Sequence, residues 1–213
     1  MNYSSPNLET LVPEYRSKIR IIRNYFLDRI RYSLNLAKIK SGEKILDVGC
    51  GEAKIYDFIA QNKISVSYYG CDINKNILSL NYPNAKFFVV DLEKDRLPFD
   101  SDFFDIVFAL DVLEHIQDLT NPIEEIYRVL KPNGRFILCG PTESIWYKFC
   151  RFLLKGTFSS KEGPDAGEHY RNIKEIAKII EKTMLFKMDK RIHLPKFLPI
   201  TFAGVHIIRF YKI

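Results

Sequence analysis

The residues best suited to chemistry fall in three short stretches. The first is ILDVGCGEA at 45–53, where Asp47, Gly49 and Gly51 share one turn. Glycines there permit positive φ and let a ligand approach the backbone closely. Asp72 follows Gly51 by twenty-one residues, at the end of the next expected strand. A carboxylate at that place can accept both hydroxyls of a ribose. The second stretch, DVLEHI at 111–116, offers Asp111, Glu114 and His115, and the third, GEHYRN at 167–172, offers His169. Imidazole is the side chain that most readily exchanges a proton near neutral pH. His115 could take a proton from an acceptor or could brace its own loop. His169 lies in a loop expected to cover the acceptor site. The spacing shows no compact carboxylate/His cluster, so no metal ion is expected.

Elements of alternating type must position these residues. Residues 14–38 carry apolar side chains at helical spacing (Ile19, Ile22, Phe26, Ile30, Leu34), which predicts one or two helices. Strands are expected at 44–49, 65–71, 86–90, 103–110 and 135–140, with helices at 53–61 and 74–81 between them. A helix over 121–131 would take Asn121 as its N-cap and Pro122 as its first residue. It would stop before Pro132, and Asn133-Gly134 would turn the chain. Further on come a helix at 143–155, a Gly/Ser/Lys loop at 156–168, a helix at 172–183 capped by Asn172, and strands near 185–192 and 204–212. The last two strands have no helix between them, so one should run antiparallel at the sheet edge. The expected fold is α/β, a Rossmann-like seven-stranded, mostly parallel sheet with one antiparallel strand and helices on both faces.

Composition bounds the class. The chain has 213 residues, 46% apolar and 27% charged, which is ordinary globular usage. One domain over 1–213 is expected. A helical cap would occupy 1–40, the core 41–140, and substrate-cap helices with the last two strands 141–213. Four cysteines with no C-x-x-C pair argue against a disulfide framework and a structural zinc. The uncharged run Phe197–Ile208 has 12 residues and includes Pro199, against the roughly 20 that cross a bilayer. No basic leader with an apolar stretch opens the sequence, so a cytoplasmic location is expected. Net charge is +5 over 1–40, −6 over 41–140 and +7 over 141–213. The basic flanks suit anionic partners, or are simply solvated helix faces.

The glycine turn leaves two nucleoside cofactors, NAD and S-adenosylmethionine (SAM). Two residues choose between them. Asp47 inside the turn would repel a pyrophosphate, whereas SAM offers an ammonium and a sulfonium. The third glycine of a dinucleotide motif would fall at Lys54. Both favour SAM.

Four stretches, ILDVGCGEA (45–53), YYGCDIN (68–74), DLEKDRLPFDSDFFDIVFALDVLEHI (91–116) and LKPNGRFIL (130–138), make the chain resemble the class I SAM-dependent methyltransferases. It looks most like their small-molecule, type 11 group, which includes ubiquinone and menaquinone methyltransferases. The resemblance covers 41–140 well and the flanks poorly. One departure is Ala53, where the family often has a third glycine. The resemblance implies that Asp47, Gly49 and Gly51 line the methionine end of SAM and Asp72 the ribose. It further implies Ile73 on the adenine, Asp91 at the adenine amino group with Leu92 nearby, and Ala109 and Leu110 beside the sulfonium. The product would be S-adenosylhomocysteine.

SAM is already activated, so the protein mainly has to align acceptor and sulfonium. No Asn/Asp-Pro-Pro-Tyr/Phe and no Pro-Cys nucleophile follow the fourth strand, so nucleic acid is not the expected substrate. The stretch ESIWYKFCRFLLK at 143–155 mixes aromatic and basic residues. It could rest at a membrane surface and receive a lipid- or isoprenoid-linked acceptor, or be a plain cap helix. The expected function is methyl transfer to a small-molecule or lipid-linked, anionic acceptor, with peripheral membrane contact. The alternatives are a protein or RNA methyltransferase and a SAM-binding module without turnover. The sequence names neither the acceptor atom nor the oligomeric state.

Overall fold

The computed structural model describes residues 18–145, 147–148, 152 and 169–213. In chain order the elements are α1 (Arg20–Ala37), β1 (Lys44–Val48), α2 (Lys54–Gln61), β2 (Ser67–Asp72), β3 (Ala85–Val89) and β4 (Phe104–Leu110). Then come α3 (Thr120–Val129), β5 (Leu130–Pro141), α4 (Ile173–Lys182), β6 (Phe186–Leu194) and β7 (Val205–Lys212). Two 3-10 turns, Lys75–Ser79 and Leu113–His115, follow β2 and β4.

The seven strands lie in the order β3-β2-β1-β4-β5-β7-β6. β1 to β5 are parallel, and β7 is antiparallel to both of its neighbours. Alternation along each strand splits the core into two layers. Ile45, Tyr68, Ile106, Phe108, Ile137 and Ile207 pack with α1 and α2. Leu46, Val107, Ala109, Phe136, Leu138 and Ile208 pack with α3 and α4. Strand order reverses between β1 and β4, which opens a crevice at their carboxyl ends.

Three expectations need correction. The antiparallel strand is not at the edge: β7 inserts between β5 and β6, and β6 takes the edge. Burial explains the exchange. β7 is buried along nearly its whole length, whereas β6 exposes Lys187, Asp189, Lys190 and Arg191. Charged side chains guard an edge strand against further pairing. Asn121 is not an N-cap, because α3 already starts at Thr120. Its side-chain amide instead donates to the carbonyls of Leu92 and Asp95, while Asp118 accepts the Thr120 N–H. The Pro132–Gly134 turn is absorbed into β5 as an irregularity opposite β4, with Asn133 at φ 60°.

Asn172 does cap α4, through a reciprocal box with Glu175. Ile145, Tyr147, Lys148 and Phe152 are helical, and the Lys148 N–H donates to Ser144 O at 2.9 Å. Glu143 and Ser144, the expected start of that helix, are not helical, and Glu143 has φ 53°. The remaining residues of 143–155, the loop 156–168 and residues 1–17 lie outside the described residues.

Candidate active site

A cleft of about 330 Å3 opens at the carboxyl ends of β1 and β4. Its floor is the glycine turn after β1. The N–H groups of Gly49 and Cys50 both donate to Cys71 O, at 2.8 and 3.0 Å, which folds the turn over β2. Gly49 has φ +72°, and a Cβ built there would lie 2.6 Å from a Val112 methyl. Only glycine fits on either count. Gly51 donates its N–H to Asp72 Oδ2 at 2.9 Å, and Asn74 donates to Oδ1 at 2.9 Å. One carboxylate thus ties the first turn to the second. Ala53, the departure from glycine, holds a left-handed φ of 54°.

Asp47 is 3% exposed and accepts a hydrogen bond from the Tyr68 hydroxyl. Burial pushes its carboxyl up from 3.8 to about 7; the Tyr68 bond opposes this and nearby Asp72 adds to it. The group is therefore poised to ionise when a cation arrives beside it.

The opposite wall comes from distant segments. α1 contributes Phe26, Arg29 and Ile30, and buried Arg29 is ion-paired with Asp111 just past β4. The 3-10 turn contributes Glu114 and His115. His169 reaches them because the segment before α4 is pinned to that turn. Tyr170 N–H donates to Glu114 O at 2.8 Å, and the Arg171 guanidinium donates to Ile116 O and Gln117 O. The His115 and His169 rings meet edge to face, with centroids 4.7 Å apart. His169 Nδ1 lies 3.2 Å from Glu143 Oε1. Glu114 is 2% exposed, and burial raises its carboxyl pKa against the opposing pull of His169 and Arg29.

Of the residues singled out in the sequence, Asp47, Gly49, Gly51, Asp72, Leu110, His115 and His169 line this one cleft. Ile73, Asp91, Leu92 and Ala109 do not. Ile73 is 67% exposed at the end of β2. Asp91 follows β3 on the same edge, where the Glu93 N–H and the Lys94 ammonium both donate to its carboxylate. The Lys94 bond holds its pKa below the usual value. Leu92 and Ala109 are buried in the α3/α4 core layer.

Sequence reasoning missed Phe26, Arg29, Glu143 and Tyr147. Arg29 had a signal: it sits between Phe26 and Ile30 on the apolar stripe of α1, where a solvated charge does not belong. Glu143 had none, since its partner His169 is twenty-six residues away.

A doubly wound sheet with an acidic glycine turn at its switch point, and a carboxylate ending the adjacent strand, is the architecture of the class I SAM-dependent methyltransferases. Residues 46–138 match the family model described as a methyltransferase domain, Methyltransf_11. That segment is a SAM-dependent methyltransferase domain of type 11, and the cofactor of the class is SAM. The chain is 29% identical over 119 residues to phosphoethanolamine N-methyltransferase 3 of Arabidopsis thaliana, covering 53% of this chain and 24% of that one. It is 31% identical over 101 residues to ubiquinone biosynthesis O-methyltransferase of Pseudomonas entomophila, covering 45% and 43%. The chain therefore spans less than half the length of either relative. A SAM-dependent methyltransferase structure from Mesorhizobium loti superposes with a TM-score of 0.61 at 15% identity, covering 87% of this chain and 96% of that one. Among the described residues no helix is long and apolar enough to cross a membrane.

Proposed function

We propose that the protein transfers the methyl group of SAM to a small-molecule or lipid-linked acceptor bound between the glycine turn and the His115/His169 wall. The observation that carries this reading is the cleft itself, acidic at Asp47 and Asp72 on one side and bearing two imidazoles on the other. Asp47 would face the ammonium of SAM, with Gly49 and Gly51 along its methionine chain and Asp72 at the ribose. Ile73, Asp91 and Leu92 would flank the adenine outside the cleft proper. Ala109 and Leu110 would set the end of β4 beside the sulfonium. His115 or His169 would receive the acceptor's proton where one has to leave.

A lipid- or isoprenoid-linked acceptor is favoured by the surface beside the mouth. The loop joining β6 to β7 exposes Phe197 (78%), Ile200 and Phe202 at the same sheet edge as the cleft. It is hydrogen-bonded to the start of the next wall: Thr142 donates to Ala203 O and Gly204 O, and Ser144 to Phe202 O. Exposed Lys196 is part of the same loop, and exposed Ile145 and Lys148 follow Ser144 in the chain. Apolar tips among lysines suit peripheral contact with an anionic membrane.

The test is methyl-labelled SAM incubated with the purified protein and a cell extract, followed by phase partition. Label in the organic phase is expected. Label in the aqueous small-molecule fraction would replace the lipid-linked acceptor with an anionic metabolite. Label in protein or RNA would overturn the small-molecule reading. Absence of any S-adenosylhomocysteine would leave a binding module without turnover.

A further inference from the structure

Glu114, His115 and His169 each present one donor atom such that all three lie within 4.8 Å of one another. The fold assembles this set from two segments more than fifty residues apart, which is why the spacing along the chain conceals it. We propose that these three side chains hold a divalent transition-metal ion at the wall of the cleft. The inference concerns metal binding alone and does not depend on the methyl-transfer reading.

Three observations support it. First, the distances suit one ion. Bonds of about 2.0–2.2 Å place the donors of a tetrahedral ion roughly 3.4 Å apart, so side-chain adjustments of just under about an ångström each close the set. Second, the donors are held. Glu114 and His115 sit in the 3-10 turn after β4, and His169 is fixed to that turn by the Tyr170 and Arg171 hydrogen bonds and by the cap of α4. Third, Glu143 stands behind His169. Its Oε1 contacts Nδ1, which selects the tautomer and leaves Nε2 to coordinate, the usual outer arrangement of a metal-bound imidazole. Glu143 adopts a left-handed φ of 53° to get there, a conformation that costs a non-glycine residue energy.

The donor set defines the ion. Two imidazoles and one carboxylate suit zinc, iron(II), manganese or cobalt, whereas magnesium and calcium prefer all-oxygen shells. Three protein ligands leave positions open toward the cleft, where an oxygen of a bound acceptor could enter.

The experiment uses the full chain stripped with a chelator. Cobalt(II) is titrated and followed by its visible d–d absorption, and zinc by calorimetry. One ion per chain is expected. His115→Ala and His169→Ala should each weaken it by about a hundredfold or more, and Glu143→Gln by about tenfold. His169→Gln serves as a second variant should the alanine fail to fold, checked by circular dichroism. The other two imidazoles, His193 and His206, are cross-strand partners on β6 and β7 and supply an internal control. No ion on the wild type overturns the proposal. So does an ion whose affinity survives loss of His169 and falls with His193→Ala. These titrations need no acceptor, so failure of methyl transfer leaves their outcome unchanged.

Discussion

Asp47 is only partly ionised near neutral pH, although the role proposed for it is to meet a cation. Burial raises its pKa to about 7, and an ammonium beside it would favour the ionised form. SAM affinity should therefore tighten as pH rises from 6 toward 8, by up to about tenfold per unit below the pKa, and then level. Isothermal titration across that range checks it, and Asp47→Asn should give weaker, pH-independent binding. Ala53 poses a different balance. Its left-handed backbone costs about 1–2 kcal/mol relative to glycine, but its methyl is fully buried, and glycine would loosen the unfolded chain. These effects nearly offset, so Ala53→Gly should change stability by less than about 1 kcal/mol. Ala53→Val, β-branched at positive φ, should cost about 2 kcal/mol or more in denaturant unfolding. At this scale the sequence was informative wherever function is compressed into one turn. Asp47, Gly49, Gly51 and Asp72 could be read from spacing because strand, turn and strand are contiguous. Arg29 and Glu143 could not, because their partners arrive by packing between remote segments.

Helix α1 carries Arg29 into the cleft, so what holds α1 down also shapes the site. Its C-terminal carbonyls are satisfied from the sheet. Arg135 on β5 donates to Ala37 O and Lys38 O and is ion-paired with Glu43, and Arg209 on β7 donates to Leu36 O. A helix end needs such partners when it is buried. Arg135→Ala removes charge-assisted bonds and strands two carbonyls, which should cost about 2 kcal/mol and lower Tm by roughly 4–8 °C. Thermal unfolding followed by circular dichroism measures it. Most elements were visible in the sequence because apolar runs and helical spacing are local signals. The position of β7 was not, because pairing order is decided by burial on both faces. Its run VHIIRFYK against the charged β6 run FKMDKRIHL was the available clue.

Across the whole molecule, two buried groups act on stability in opposite directions. Asp47 has a folded pKa above its ordinary value. Its contribution is favourable at low pH and is lost as pH rises from about 4 to about 7. Burial drives His206 down to about 4, so its contribution is present above about 6.5 and is lost as pH falls toward 4. Over most of the mildly acidic range the two slopes offset. His206→Gln removes one of them. The variant should be less stable than wild type at pH 8, and the gap should narrow at pH 5, as urea midpoints at the two values would record. The domain's class was legible at this scale, since four stretches spread over 45–138 carry it. The convergence of α1, the 3-10 turn and the segment before α4 on one cleft was not, because no local pattern encodes which loops meet.

The interior place of β7 sets an order of events during synthesis. Val205–Lys212 is the last strand in chain order, yet it joins β5 to β6 and helps seat α1. Until the ribosome has delivered it, the nascent chain presents the long apolar edge of β5 with nothing beside it, and β6 has no neighbour to pair with. An unpaired edge of that kind invites pairing with another chain. The growing chain is thus most exposed to aggregation until β7 has emerged, and the seat of α1 against the sheet is finished only then.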